Sequence, residues 1–376
     1  MAIATNLPPV YFTTFSSAFG GEAGLTAEQL GRIGAFVFGG YVIGLLISLP
    51  LGDRLGAKPF VLIGNALVAA SLVLIAMTIN YTMLLAAVLL LGIGAGVIEL
   101  ITSPIVSVLE PDRRTNALNM LHSFYSLGSV LTVLAASVMI YLGVSWRLVV
   151  LGMAALPVCT FFGFIRTTLP ALIHEDHRMQ LRTLIGVRFF LVTLVAIALC
   201  GATELGMVQW LPAYAEQGLG FSRWFGGLSL MFFSAGMFVG RWTIGSVGHR
   251  FSPFVIEAVC CVCAILLILA GAFVPYPPVA LAACIGVGLA VSCLWPTMLA
   301  IVAGQFPAGG ASMFGFLAAC GNSGGLVVSW LIGVVTDSSS LRIGITFAAI
   351  APLLLLVLLV VLAKHAKPNV ATAKDH

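Results

Sequence analysis

The chain has 376 residues, of which 60% are apolar and only 8% are charged, and its mean hydropathy is +1.13. Soluble domains carry about 25% charged residues, so this charged fraction is too small to cover the surface of a soluble globule. The composition therefore excludes soluble enzymes and nucleic-acid-binding proteins, and the net charge of +4 does not indicate a nucleic-acid partner. Because a spanning helix needs about 20 apolar residues, the length predicts an all-α polytopic membrane protein with about twelve transmembrane helices.

Twelve apolar segments follow one another along the chain and are numbered in that order as spans 1 to 12. They lie at residues 1–19, 29–51, 59–79, 82–108, 116–142, 146–168, 187–215, 223–246, 253–273, 278–303, 311–334 and 342–363. The longest polar stretch follows span 6 and separates two sets of six. The predicted organisation is a six-helix bundle over residues 1–168, a cytoplasmic linker over 169–186, a second six-helix bundle over 187–364 and a cytoplasmic tail over 365–376.

The two ends of the chain are predicted from helix length and from the basic residues. Span 1 would rise only about 28 Å as a helix and contains Pro8 and Pro9, so we expect the true start to lie upstream of Met1. With the amino terminus inside, 13 of the 17 basic residues, Arg241 and Arg250 among them, fall on the cytoplasmic side. Since basic loops stay in the cytoplasm, both termini are predicted to be cytoplasmic and the protein to lie in the inner (plasma) membrane.

The two halves of the sequence repeat each other. Span 2 with its flanks, from Gly24 to Asp53, is matched in length by Gly220 to His249 around span 8. Ser103-Pro104 in span 4 corresponds to Trp295-Pro296 in span 10. A parallel duplication of six spans resembles the architecture of major facilitator transporters, in which the solute site lies at the membrane midplane between the halves.

The loop Gly52–Lys58 resembles the major facilitator signature between spans 2 and 3, in which a carboxylate and basic residues latch the helix ends together. On this resemblance Asp53, Arg54 and Lys58 are predicted to form a conformational latch. The second half has His249 where the first has Asp53. A latch there therefore lacks this carboxylate and is expected to use Arg250 or Arg241 in a different arrangement.

Energy coupling is predicted to be secondary. No glycine is followed by lysine and then serine or threonine, so the chain lacks the Walker A loop that holds the phosphates of ATP. The sequence predicts no cofactor and no metal site. It also contains neither an HExxH motif nor a serine nucleophile constellation, which argues against an intramembrane enzyme.

Acidic residues inside spans are candidates for coupling, because a charge in lipid is costly unless it faces a cavity or a partner. Glu99 lies a little past the middle of span 4, and Glu204 lies near the middle of span 7. Both are predicted to carry the coupling proton, with Glu99 preferred. The alternative for each is a structural hydrogen bond to another helix. Glu257, near the start of span 9, is expected to reach the membrane surface or to pair with Arg250.

Polar residues within spans are candidates for solute contacts. Span 5 carries polar residues at 119, 122, 126 and 129, and this spacing forms one stripe on a helix that must face protein or water. The predicted solute-binding residues are Asn119, His122, Tyr125, Gln209, Trp210, Trp295 and Asn322. The alternatives are an interhelical clamp for the polar side chains and a membrane-interface position for Trp210.

Spans 4 and 5 together resemble a known family. Gly96-Val-Ile-Glu99 through Ser103-Pro104, then Asn119-x-x-His122-x-Phe124-x-Ser126-x-Gly128, are similar to the L-fucose:proton symporter family of major facilitators. The resemblance implies sugar uptake coupled to protons or sodium, with Glu99 taking the proton and Asn119 near the sugar. The family's span 1 aspartate has no counterpart, since no acid occurs between Met1 and Gly21, and Glu204 is therefore a candidate second site.

The favoured function is cation-coupled uptake of a monosaccharide or similar small polar solute by a monomer in the lipid bilayer. A proton-driven exporter of drugs or metabolites would share the fold, although fewer polar stripes are expected in its cavity. A non-transporting scaffold or sensor is less compatible with the sequence. Such a protein is expected to lack titratable groups at the midplane and to carry a soluble output domain.

Overall fold

A computed structural model describes residues 1–109, 114–169, 181–247, 251–306 and 309–366, without the side chains of 52–54, 103–104, 107–108, 114–119, 246–247 and 310–311. All regular secondary structure in these ranges is helical. Ten segments of the described chain are long and apolar enough to cross a membrane. The remaining two predicted spans are the broken helix of span 1 and the helix of span 8. The all-α polytopic architecture expected from composition is confirmed.

The helices follow the predicted spans in order, with several spans built from two pieces. They are α1 (Ala2–Val10), α2 (Phe12–Phe19), α3 (Ala27–Leu55), α4 (Ala57–Met77), α5 (Tyr81–Leu109), α6 (Arg114–Tyr141), α7 (Trp146–Met153), α8 (Ala155–Arg166), α9 (Leu181–Ile185), α10 (Arg188–Ala213), α11 (Arg223–Val247), α12 (Pro253–Phe273), α13 (Pro277–Val291), α14 (Leu294–Gln305), α15 (Gly310–Ser338), α16 (Leu341–Phe347) and α17 (Ile350–His365). A π-helical turn, Tyr214–Gly218, extends α10.

Three spans are interrupted three residues before a proline. The interruptions are at Ala154 before Pro157 in span 6, at Cys293 before Pro296 in span 10 and at Ala349 before Pro352 in span 12. Proline has no backbone N–H to donate, and its ring collides with the carbonyl one turn earlier. The local sequence therefore determines where these spans bend.

Span 1 differs from the continuous helix over residues 1–19 that was predicted. It breaks at Tyr11, which has φ −106° and ψ 9°, and its N–H donates to the Pro8 oxygen at 3.0 Å. The adjacent Pro8 and Pro9 cannot continue the helical hydrogen-bond ladder. The ring of Tyr11 is fully buried, so the break redirects the second piece of the span while keeping its aromatic face in the core.

The helices before the linker (α1–α8) form the first helix group, and those after it (α10–α17) form the second helix group. The two groups meet along α3 against α15 and along α6 against α11. Within the first group α3 and α5 lie very close together at Gly40 and Gly96. A β-carbon at either position would collide with a backbone carbonyl of the other helix. This contact places Glu99, one turn after Gly96, beside the junction of the two groups.

One end of the molecule, called the closed face, is sealed by bonds between the helix groups. Thr13 Oγ1 donates to Glu216 Oε2 at 2.7 Å. The backbone N–H groups of Ala27 and Glu28, at the start of α3, both donate to the Asp337 carboxylate at 2.8 Å. Trp330 Nε1 donates to Glu28 Oε1 at 2.6 Å. The opposite end, which carries residues 52–56 and 181–187, is called the linker face.

Candidate functional site: a cavity with two carboxyl groups

A cavity of about 590 Å³ lies between the two helix groups. Its wall comes from α1, α3, α4, α5, α6 and α8 of the first group and from α10, α11, α14 and α15 of the second. Val61, Phe164 and Leu169 extend the wall toward the linker face. The cavity therefore reaches from the centre of the protein toward the linker face, and the closed face seals its other side.

The cavity brings together side chains from both halves of the sequence. Among the residues predicted to bind the solute or the proton, its wall includes Glu99, His122, Tyr125, Glu204, Trp295 and Asn322. The side chain of Asn119 lies outside the described residues. The rest of the wall is largely apolar, so the few polar groups decide which solutes fit.

Glu99 is half-buried on α5 and reaches the second helix group. Asn322 of α15 lies within hydrogen-bonding reach of its carboxylate. Asn322 is itself held by a bond from its amide to the Ala318 oxygen at 2.9 Å. In the described part of the chain no lysine or arginine side chain forms an ion pair with Glu99. This carboxyl can therefore exchange a proton without leaving an arginine or lysine of the described chain unpaired.

Glu204 is paired with a cation. Arg241 Nη2 lies 3.4 Å from Glu204 Oε1 and 3.3 Å from Oε2, and both side chains are 7% exposed. The same guanidinium donates to Ser126 Oγ at 2.8 Å, to the backbone oxygen of His122 at 3.3 Å and to the backbone oxygen of Ser292 at 3.1 Å. Arg241 thus joins α6 of the first group to α10 and α11 of the second.

The position of Arg241 corrects the sequence prediction, which counted it among the cytoplasmic basic residues. Its side chain lies in the cavity wall, although the residue is only six positions from the end of α11. The sequence did contain a signal for this, because Arg241 precedes the end of span 8 and directly follows Gly240. A buried arginine of this kind needs a counter-ion, and Glu204 provides it.

A hydrogen-bonded cluster joins α1 to α6 beside the cavity. Thr5 Oγ1 and Tyr125 Oη lie 2.7 Å apart, and the Asn6 amide donates to Ser129 Oγ at 2.9 Å and to Thr5 Oγ1 at 2.8 Å. These bonds and the Arg241–Ser126 bond account for two positions of the polar stripe predicted on span 5. Neither Thr5 nor Asn6 was among the residues predicted from the sequence to contact the solute.

Gln209 and Trp210 do not belong to the cavity wall, in contrast to the expectation that they contact solute. The side-chain amide of Gln209 donates to the backbone oxygen of Thr5 at 2.9 Å, and Trp210 Nε1 donates to the backbone oxygen of Ser329 at 3.0 Å. Trp210 packs edge-on against Phe12, with ring centroids 5.9 Å apart, and it is 1% exposed. Both residues therefore tie α10 to α1, α2 and α15, and Trp210 is buried within the protein rather than exposed to lipid.

Of the predicted latch, the structure describes only Lys58. Its Nζ donates to the Ile165 oxygen at 2.8 Å and so joins the start of α4 to the end of α8. The side chains of Asp53 and Arg54, and the whole of Arg250, lie outside the described residues. Glu257, expected near the membrane surface, is instead fully buried within the second helix group.

Helices long enough to span a membrane, arranged in two groups with a cavity between them that has a few polar groups and faces one end, define the class of a solute transporter. The sequence model of the Major Facilitator Superfamily matches residues 1–308. The chain belongs to this superfamily, as the repeated halves predicted.

Individual relatives are similar to the chain either over part of the sequence or in the fold. The chain is 31% identical over 137 residues to the L-fucose-proton symporter of Escherichia coli (strain K12), an alignment that spans 35% of this chain and 30% of that protein. The crystal structure of the transporter FucP in the outward conformation is similar with a TM-score of 0.68 and 21% identity, covering 96% of this chain and 95% of that one. The human organic anion transporter MFSD10 (TETRAN) is similar with a TM-score of 0.70 and 18% identity, covering 95% of both chains. At these identities the two structures establish the fold alone.

Proposed function

We propose that the protein is a secondary active symporter that takes up a monosaccharide or similar small polar solute together with protons. The observation that supports this most directly is the pair of carboxyl groups, Glu99 and Glu204, in the wall of one solute-sized cavity. Ionisable groups placed inside a membrane bundle mark ion and proton pathways. The name of the E. coli relative, a symporter of L-fucose and protons, supports the same assignment.

The cavity has the size and chemistry that a sugar requires. Its volume of about 590 Å³ is within the range of about 300–1,000 Å³ that small-ligand sites occupy. His122, Tyr125 and Asn322 offer hydrogen-bond donors and acceptors for hydroxyl groups. Trp295 offers an aromatic surface for the apolar face of a sugar ring. We include Asn119 among the solute-binding residues on the family resemblance, and we leave out Gln209 and Trp210 because they bond to protein.

Transport is proposed to follow alternating access, with the bundles of residues 1–168 and 187–364 rocking about the cavity. In the present conformation the cavity faces the linker face. Opening the closed face requires the Thr13–Glu216 and Asp337–α3 bonds between the helix groups to break. The Asp337 bonds are exposed, so water can replace them, whereas the Thr13–Glu216 bond is partly buried.

We place the linker face and both termini in the cytoplasm and the protein in the inner (plasma) membrane. The basis is the distribution of basic residues, which keeps its strong bias after Arg241 is assigned to the cavity. A fluorescent reporter that matures only in the cytoplasm, fused after His376, should be bright. A dark fusion whose production is verified by immunoblot would reverse this topology.

Glu99 is proposed as the coupling acid. It opens onto the cavity and lacks an arginine or lysine partner in the described chain, so the carboxyl can load a proton from one side and release it to the other. Glu99→Gln keeps the shape and the hydrogen bonding but removes titration. In proteoliposomes, this variant should lose uphill accumulation while it retains counterflow exchange of the same solute.

The deciding experiment measures uptake of a panel of radiolabelled monosaccharides by proteoliposomes under an imposed pH gradient or an imposed sodium gradient. Accumulation driven by external acid, without a sodium requirement, is expected. Sodium-driven accumulation would show that the coupling ion is sodium. Expulsion of the solute driven by a proton gradient would favour a proton-driven exporter. If Glu99→Gln still concentrates the sugar, Glu99 has a structural role and Glu204 becomes the coupling acid.

A further inference from the structure

The contact between α6 and α11 forms a seam between the helix groups that runs from the closed face to the cavity. Near the closed face it is tight, because a β-carbon at Gly227 would collide with the Ser137 hydroxyl. At its inner end Arg241 crosses the seam and bonds to Ser126 and to the His122 oxygen. This part of the seam therefore contains a charged side chain that bonds across it.

We propose that Arg241 is a positioning residue that links the ionisation of Glu204 to the closure of the α6–α11 seam. Ionised Glu204 holds Arg241 in the seam and favours the linker-facing conformation. A proton on Glu204 removes the counter-ion and favours opening of the closed face. The inference rests on the proposed function, since it assigns a conformational role to the second carboxyl of the same cavity.

The geometry supports a pair that can separate. The two Arg241–Glu204 distances are 3.3 and 3.4 Å, longer than the roughly 2.7–2.9 Å of strong charge-assisted bonds. The bond to Ser126 is shorter, at 2.8 Å. A buried guanidinium is costly without a counter-ion, and guanidinium stays protonated throughout the physiological range. Protonation of Glu204 therefore leaves Arg241 with neutral acceptors only, and exit from the seam toward water becomes favourable.

Other titratable groups surround this pair and have to be considered. They are His122 and Tyr125 on α6, Cys200 on α10, Glu257 on α12 and Cys293 just before α14. Phenols ordinarily keep their protons below pH 8. The side chain of Cys200 is 1% exposed, and the Cys293 thiol donates its proton to the backbone oxygen of Gly240 at 3.6 Å. A charged His122 would add a second cation beside Arg241, which repulsion disfavours. Of the two carboxyl groups, Glu204 is the one in direct contact with Arg241, at 3.3 Å, so its titration changes the charge balance at the guanidinium.

The test measures conformation without any solute, so its outcome is independent of sugar transport. Spin labels are attached through genetically incorporated ketone side chains at Ser17 and Ser222, two exposed positions of the closed face on opposite helix groups. Distances between them are measured in nanodiscs from pH 5 to pH 8. The unsubstituted protein should shift from short distances at high pH to long distances at low pH.

Glu204→Gln and Arg241→Gln should each lose this pH dependence and show the long distances at every pH. The double variant should match the single variants, because the two residues act as one unit. Arg241→Lys keeps the charge but not the planar fork, and we expect it to retain a reduced shift. Lys364→Gln, which removes an exposed cation on α17, is the matched control and should behave as the unsubstituted protein.

Three outcomes would overturn the proposal. They are a pH shift that persists in Glu204→Gln, a pH shift that persists in Arg241→Gln and a pH shift that disappears in His122→Gln. If either single variant fails to elute as a folded monodisperse protein, the charge-neutral double variant is decisive, since it leaves no buried charge unpaired. A persistent pH shift in the double variant rejects the link, whereas failure of sugar transport alone rejects only the proposed function.

Discussion

The two carboxyl groups of the cavity have different neighbours. Glu204 is 6% exposed and faces Arg241, whereas Glu99 is half-buried and lies within reach of the neutral amide of Asn322. Both partners lie in the second helix group, but Glu204 of that group has a charged partner, whereas Glu99 of the first group has a neutral one. The difference indicates a division of roles. Glu99 is suited to carrying a proton through the transport cycle, and Glu204 is suited to controlling, through its charge, the packing of α6 against α11.

The largest expected effect comes from breaking the buried pair. Arg241→Ala leaves the carboxylate of Glu204 buried without its counter-ion, and loss of one partner of such a pair costs about 3–5 kcal/mol. Thermal unfolding in detergent should therefore show a strongly lowered melting temperature. The double variant Arg241→Ala/Glu204→Ala should recover part of this loss. Equal stability of the single variant and the unsubstituted protein would show that the pair does not form.

A smaller effect is expected on the Glu99 side of the comparison. Asn322→Ala removes a neutral partner of the cavity and leaves a solute hydroxyl unpaired, which costs about 1–3 kcal/mol. Solute binding should weaken by roughly 5–150-fold, with little change in melting temperature. Isothermal titration with the best transported sugar measures this. Unchanged affinity would assign Asn322 to helix packing.

The closed face provides the next contrast. There the Asp337 carboxylate binds backbone N–H groups at the start of α3 rather than a cationic side chain. Asp337→Ala leaves the N–H groups of Ala27 and Glu28 without their acceptor, while Thr26 still caps α3. A carboxylate at an exposed helix start contributes about 0.3–1 kcal/mol. We expect longer distances between closed-face spin labels and faster solute exchange at that face. Asp337→Asn, which retains an acceptor oxygen, should show a weaker effect. Unaltered distances in Asp337→Ala would mean that this contact does not hold the face closed.

The smallest effect is expected from an exposed ion pair. Arg32 and Glu28 lie one turn apart on α3 with side chains 42% and 22% exposed, and their closest atoms are 2.6 Å apart. Exposed helical pairs of this kind contribute about 0.3–0.5 kcal/mol. Arg32→Gln should therefore change the melting temperature only slightly. A loss as large as that of Arg241→Ala would contradict the view that burial gives the Glu204 pair its importance.

Several features were predictable from the sequence because they depend on local properties. Hydropathy located the spans, since any helix in lipid must be apolar over its length. The repeated halves of the sequence pointed to the superfamily to which the chain belongs. The cavity wall includes six residues that were chosen because polar groups within spans must face protein or water.

Other features depended on how distant helices meet. Trp210 and Gln209 looked like solute contacts, but the rotation of α10 turns them toward α1, α2 and α15. Arg241 looked cytoplasmic, but α6 and α10 supply acceptors that hold it in the cavity. No local pattern contains this information, because the acceptor for each donor lies more than 30 positions away in the chain.

The sequence by itself determined the membrane environment, the order of the spans and the proline-directed bends, because solvation by lipid and the missing N–H of proline act on each segment independently. Only the tertiary structure decided which face of each helix meets the cavity and which carboxyl receives the arginine. Those choices are made by packing between helices, where a rotation of one helix exchanges the residues that face solute for residues that face protein.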